Sequence, residues 1–208
     1  MAADNRILLA TRSAGKLREL RGILPEFGLT GISVEEAGLP VTAREDDLEC
    51  FDTFEANALT KASYFHGLSD GMPALADDSG LCVKALNGAP GVWSKRYSGR
   101  VDLEGQALDD ANNAKLLLAI QSLPRDASYS CAAAYVDGSY ELIAMGETQG
   151  SIVDNPKGTN GFGYDPYFLS AELGVTFGEA SLDAKAAISH RGRAFRELLH
   201  ALRADGRR

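Results

Sequence analysis

Asp77 and Asp78 stand side by side between the apolar Leu75-Ala76 and the run Ser79-Gly80-Leu81. Side chains at successive strand positions point to opposite faces, so one carboxylate can face a cleft while the other braces the backbone. Gly80 permits a sharp turn, which predicts that the acid and the hydroxyl of Ser79 lie at the rim of a sheet. A carboxylate so placed is what a magnesium ion or an attacking water needs. Asp, Ser and Gly are equally the residues of a surface turn, so the segment becomes a site only with partners elsewhere.

Three other segments could supply them. Thr11-Arg12-Ser13-Ala14-Gly15-Lys16 joins an apolar strand, Ile7 to Ala10, to a helix with Leu17, Leu20 and Leu24 on one face. Such a junction offers an anion free backbone N–H groups and the positive helix end, with Lys16 adding a point charge. It is not a Walker A loop, because Ala10 takes the first glycine position and Leu17 the Ser/Thr position. A solvated lysine opening an ordinary helix has the same pattern. In Lys157 to Phe168, three glycines alternate with aromatic residues. That suits either a loop that nears a ligand and stacks on it or an aromatic hairpin packed on the core. Ser189 is a natural helix N-cap, which puts His190 and Arg191 in a first turn where the dipole disfavours cations. With Lys185 nearby, this points to an anion or a polar base.

These segments need elements to hold them. Asp52 and Glu55 have capping-box spacing, opening a helix with Phe54, Ala58, Leu59, Ala62 and Phe65 on its apolar face. Asn57 and Lys61, four residues apart, share a face of that helix. Glu49 precedes it, closing an acidic run from Glu45 that otherwise reads as solvated surface. Leu81-Cys82-Val83 reads as strand and residues 105–121 as a helix burying Leu116, Leu117 and Ile120. Tyr129 to Val136 and Tyr140 to Met145 form a hairpin around Asp137-Gly138-Ser139, and a last helix buries Phe195, Leu198, Leu199 and Leu202.

At 208 residues the chain suits one sizeable domain, with no linker to divide residues 1–208. A net charge of −8 argues against a nucleic-acid polymer as partner, though a local basic cluster can still take an anionic ligand. No apolar run approaches a membrane span, and Ile7 to Ala10 is too short for a signal peptide, so the cytoplasm is expected. Cys50, Cys82 and Cys131 lack metal-ligand spacing, and the last two read as buried free thiols.

Taken in order, Thr11 to Lys16, Asn57 to Lys61 with Ala76 to Gly80, Gly161 to Pro166, and Ser189-His190-Arg191 resemble the inosine-triphosphate pyrophosphatase family. Ala89 to Tyr97 resembles a further stretch of it, and the likeness runs from residue 7 to about residue 203. The resemblance implies an α/β fold, an elongated mixed β-sheet with flanking helices whose two lobes surround a central cleft. It also implies a homodimer that hydrolyses non-canonical purine nucleoside triphosphates (ITP, dITP, XTP) to monophosphate and pyrophosphate with Mg²⁺. By the same resemblance, Thr11, Arg12, Ser13, Ala14, Gly15 and Lys16 would hold the triphosphate, joined by Lys61 and Ser79. Asp78 would hold the metal and help deprotonate water, with Glu49 as second carboxylate. Phe162 would stack on the base beside Gly163, Tyr164 and Asp165, while Lys185, His190 and Arg191 would read its edge. Ser13 stands where the family usually has Asn, Cys50-Phe51 where it has Thr-Gly, and Trp93 where it has Tyr. A nucleotide-binding module without hydrolysis, or a related pyrophosphatase for modified pyrimidine or canonical nucleotides, are the competing classes.

Overall fold

The fold is taken from a computed structural model that describes residues 5–206. Ile7, Leu8 and Leu9 are fully buried, and the four-residue strand they form, β1 (Arg6–Leu9), lies inside the sheet. It runs parallel to β2 (Thr30–Ser33) on one side and to β3 (Ala74–Val83) on the other. Parallel strands buried on both faces read as unbroken apolar runs, as this one does. The sheet order is β2-β1-β3-β4-β5-β6, with β4 (Asp126–Val136), β5 (Glu141–Ile152) and β6 (Phe168–Ser170). β6 is antiparallel to β5, so the sheet is mixed and the fold is α/β. The helices are α1 (Ala14–Ile23), α2 (Phe54–Leu68), α3 (Gly105–Ala119), α4 (Leu182–Ile188) and α5 (His190–Ala204). Among the described residues, no helix is long and apolar enough to cross a membrane.

The chain separates into two compact units. The first comprises residues up to Asp78, Cys131–Gly146 and the segment from Arg191; the second comprises Ser79–Ser130 and Glu147–His190. In the first unit, the two-residue period of β1 divides the core. Ile7 and Leu9 pack with Leu20 and Ile23 of α1 and with Phe195 and Leu198 of α5, while Leu8 joins Ala58, Ala62 and Phe65 of α2. The second unit has its own cluster, in which Leu116 and Ile120 meet Tyr129, Phe168 and Phe177.

Two local expectations are corrected. Gly80 does not turn the chain: β3 is continuous from Ala74 to Val83, so Asp77 and Asp78 lie within a strand, 0% and 5% exposed. The glycine is required for close approach, since a Cβ there would sit 2.1 Å from the Gly91 carbonyl and 2.5 Å from Ser94 Oγ. The cap of α2 is Thr53, whose side chain accepts from the Ala56 N–H at 3.2 Å, in place of Asp52. α1, α3, α5 and the hairpin form as expected, with β4 and β5 extending beyond the predicted strands, and α4 is a helix the sequence pattern did not predict. Cys131 is buried and Cys82 only half-buried, and all three thiols are free.

Candidate active site

In the first unit, the N-terminus of α1 is organised by its own loop. Ser13 caps the helix, its Oγ accepting from the Lys16 N–H at 3.4 Å, and Thr11 Oγ1 accepts from the Ser13 N–H at 3.2 Å. Ala14 and Gly15 are then the first helical residues, whose N–H groups have no partner within the helix. Capping in this way fixes the direction in which Lys16 leaves the helix. Its Nζ lies 3.0 Å from Asp77 Oδ2 and 3.3 Å from the Asp77 carbonyl. Arg12 turns elsewhere. Its guanidinium is bound twice by Glu45, at 2.7 and 2.8 Å, and by Glu35 at 3.1 Å, and it donates to the Pro40 carbonyl at 2.9 Å. The loop is thereby tied to the segment leading towards Glu49, and the Arg12 side chain is engaged by protein groups.

Asp77 is the meeting point of two cations. Besides Lys16, it takes Nε of Arg191 at 3.1 Å, and Nη1 of Arg191 pairs with Glu19. Burial alone would raise the Asp77 carboxyl, but Lys16, Arg191 and Lys61 outweigh it and hold it far below the ordinary carboxylate range. Arg191 is only 1% exposed; burial works against its charge, and Asp77 and Glu19 more than restore it. Such a network is strongly destabilised when one member is removed, because the others remain charged and buried.

Asp78, on the opposite side of the strand, has a different environment. Its Oδ2 accepts from Asn57 Nδ2 at 2.8 Å. Glu49 pairs with Lys61, one turn along α2 from Asn57. Burial, then the charge of Glu49, raise the Asp78 carboxyl against the opposing pull of Lys16, Lys61 and the Asn57 hydrogen bond. Adjacent strand positions thus carry one carboxylate whose pKa is depressed and another whose pKa is raised.

Among the described residues, no group of three or more His, Cys, Asp or Glu side chains could hold a metal. The donors present nevertheless fit magnesium, which is held by one or two carboxylates with water and substrate phosphates completing its shell. Asp78 and Glu49 are two hard oxygen donors close enough for one charge to perturb the other, a repulsion that a cation relieves.

The second unit holds the aromatic loop. Phe162 lies between Gly161 and Gly163, both left-handed at φ +76° and +64°, and the residue is 38% exposed. Asp165 Oδ2 accepts from the Phe162 N–H at 2.8 Å and pairs with Lys185 Nζ at 2.7 Å. The same ammonium is 5.3 Å from the Phe162 ring centre and 5.2 Å from that of Phe177. Tyr164 is buried in the unit's apolar cluster and donates to the Ser94 carbonyl at 2.8 Å. His190 is also buried, its ring stacked on Tyr129 at 4.6 Å. Ser79 is half-buried in β3. The structure therefore groups Phe162, Asp165 and Lys185 closely, and places Tyr164 and His190 in packing positions.

Comparison with known proteins decides the relationship. The sequence model of the Ham1 family matches residues 7–201. This chain belongs to the Ham1 family. A relative from Geobacter sulfurreducens, named dITP/XTP pyrophosphatase, is 48% identical over 193 residues, 91% of this chain and 92% of that protein. Another of the same name from Streptomyces avermitilis is 46% identical over 206 residues, covering 95% and 97%. Among solved structures, a HAM1 protein from Coxiella burnetii superposes with a TM-score of 0.79 at 36% identity, over 96% of this chain and 98% of that one. Within this Ham1 chain, the sequence pattern does not mark Glu19 and Glu45 as the partners of Arg191 and Arg12. Nothing in local spacing marks pairs 172 and 33 residues apart. Asp109 and Asn113, which hold the Gly163 backbone, are marked in the sequence only by their four-residue spacing on the predicted helix.

Proposed function

We propose that this protein hydrolyses non-canonical purine nucleoside triphosphates (dITP, XTP and ITP) to the nucleoside monophosphate and pyrophosphate. The observation that carries the reading is that relatives 48% and 46% identical, over more than nine-tenths of the chain, are named for that activity on dITP and XTP. The site chemistry supports it. Within the first unit, the α1 N-terminus, Lys16, Lys61, Asp78 and Glu49 have the chemistry that a triphosphate and a metal ion need. Within the second unit, Phe162 and Lys185 have the chemistry that a purine base needs.

Water attacks the α-phosphorus, the bond from that phosphorus to the α–β bridging oxygen breaks, and the leaving pyrophosphate takes the electron pair. Asp78 accepts the proton of the attacking water; its raised pKa makes it a stronger base than an ordinary carboxylate while Asn57 holds it in one orientation. Magnesium, held by Asp78 and Glu49, would neutralise phosphate charge and acidify water. Lys16 and Lys61 offset negative charge as it spreads in the transition state. Phe162 stacks on the base. By the family resemblance, Lys185, His190 and Arg191 are assigned its edge, with Arg191 also paired with Asp77 and Glu19. Donors suit the 6-oxo group of hypoxanthine or xanthine and are left unpaired against the adenine amino group.

The test is a panel of nucleoside triphosphates assayed for pyrophosphate release with and without Mg²⁺. Release from dITP, XTP and ITP well above that from ATP, lost on chelation, supports the reading. Equal rates on all, or release of orthophosphate instead, overturns it. The family resemblance also implies a homodimer, and the cytoplasmic location expected from the sequence is kept as a proposal; light scattering and fractionation check the two.

A further inference from the structure

Gly163 is held at both its N–H and its carbonyl by one helix of the second unit. Asp109 Oδ2 accepts its N–H at 2.9 Å, and Asn113 Nδ2 donates to its carbonyl at 3.0 Å. Asn113 also donates to the Asp109 backbone carbonyl at 2.9 Å, and the two side chains, one turn apart on α3, together clamp Gly163. The neighbouring N–H, that of Phe162, is bound by Asp165. Three side chains thus fix three backbone groups around a partly exposed ring. The glycines on either side explain why fixing is needed. Gly161 and Gly163 both have positive φ, and without anchors a Gly-Phe-Gly segment samples more backbone states than any other arrangement around an aromatic residue.

We propose that Asp109 and Asn113 are positioning residues for nucleotide recognition, pinning Gly163 so that the Phe162 ring is set before the base arrives. The inference rests on the reading of Phe162 as the stacking platform. A platform ordered in advance spares the ligand the cost of ordering it, so the clamp acts on binding and leaves the phosphate chemistry alone.

The test uses Asp109→Leu and Asn113→Leu, with Asp109→Asn as the conservative variant, since an amide oxygen can still accept the Gly163 N–H. In steady-state hydrolysis of ITP, each leucine variant should raise KM about tenfold while changing kcat by less than about threefold. Asp109→Asn should restore a near-normal KM. Phe162→Ala should raise KM by itself, and adding Asp109→Leu to it should raise KM little further, because the clamp acts through the ring. If Phe162→Ala raises KM and neither leucine variant does, the clamp proposal alone is overturned. Full additivity in the double variant overturns it too, as does failure of both leucine variants to fold by circular dichroism, which would assign the pair to stability. An unchanged KM in Phe162→Ala overturns the stacking reading and this inference with it.

Discussion

Asn57 Nδ2 donates to Asp78 Oδ2 at 2.8 Å, and the same amide binds the backbone of Phe51 at both ends. Its second Nδ2 hydrogen goes to the Phe51 carbonyl at 3.2 Å, and its Oδ1 accepts the Phe51 N–H at 2.9 Å. Phe51 is two residues from Glu49. One fully buried amide therefore fixes both the orientation of Asp78 and the loop that carries the second carboxylate. The four-residue spacing of Asn57 and Lys61 puts both on that side of α2, where Lys61 meets Glu49.

Removing that amide should damage function and fold together. Asn57→Ala leaves the Phe51 groups and Asp78 without their partner, and a buried polar group left unpaired costs about 1–3 kcal/mol. Residues behind a metal ligand typically change affinity or activity by about 10–100-fold. Asn57→Ala should weaken Mg²⁺ binding by calorimetry within that range and lower the melting temperature. Asn57→Asp should be worse in kcat than Asn57→Ala, because it sets a third carboxylate against Asp78. Calorimetry and turnover at saturating Mg²⁺ separate the two effects.

Asp78→Asn should lower kcat by about a hundredfold or more, since it removes both proton acceptor and proposed metal ligand. Its effect on stability should have the opposite sign. The Asp78 carboxyl is raised by burial and by Glu49, so the ionised form at neutral pH costs the folded state free energy. An uncharged isostere relieves that cost and can still accept from Asn57. Urea denaturation at neutral pH should therefore show Asp78→Asn equal to or more stable than the parent.

Asp77→Asn should do the reverse. With Lys16 and Arg191 left facing an amide, the loss expected for a broken buried pair is about 3–5 kcal/mol. The pH dependence follows from the depressed Asp77 pKa. Its stabilisation is complete above the unfolded-state value and is lost as pH falls below the ordinary carboxylate range. Stability measured from neutral pH down to about pH 3 should fall less steeply in Asp77→Asn than in the parent.

How much of this the sequence discloses depends on range. The buried strand β1 and the apolar faces of α2 and α5 are local, and each follows from spacing within a few residues. The segments that bear the chemistry were visible by type: an acidic pair, a lysine opening a helix, an aromatic between glycines. Their partners were not. Whether Arg12 faces a ligand or Glu45 is set by chain folded between them, and turn propensity at Ser79-Gly80 was overridden by the close passage of Gly91. Asp109 and Asn113 lay on a helix read only for its apolar face, although the polar face holds the loop.

Arg191 offers the sharpest test, because its two roles predict different readouts. As the partner of Asp77 and Glu19 it supports the fold, so Arg191→Ala should lower stability by about 3–5 kcal/mol. As a donor to the 6-oxo edge it should also contribute selectivity. An unpaired buried donor costs about 1–3 kcal/mol, one to two powers of ten between a base that accepts and one that does not. Any single rate is lowered by the fraction of the preparation that instability leaves unfolded. The ratio of kcat/KM for ITP to that for ATP, measured on one preparation, cancels that fraction. Arg191→Ala should reduce this ratio by about tenfold or more. Phe162→Ala should lower both rates and leave the ratio nearly unchanged, because stacking tolerates any base. A preserved ratio in Arg191→Ala, alongside the expected loss of stability, would confine Arg191 to the ion network and leave Lys185 to read the base.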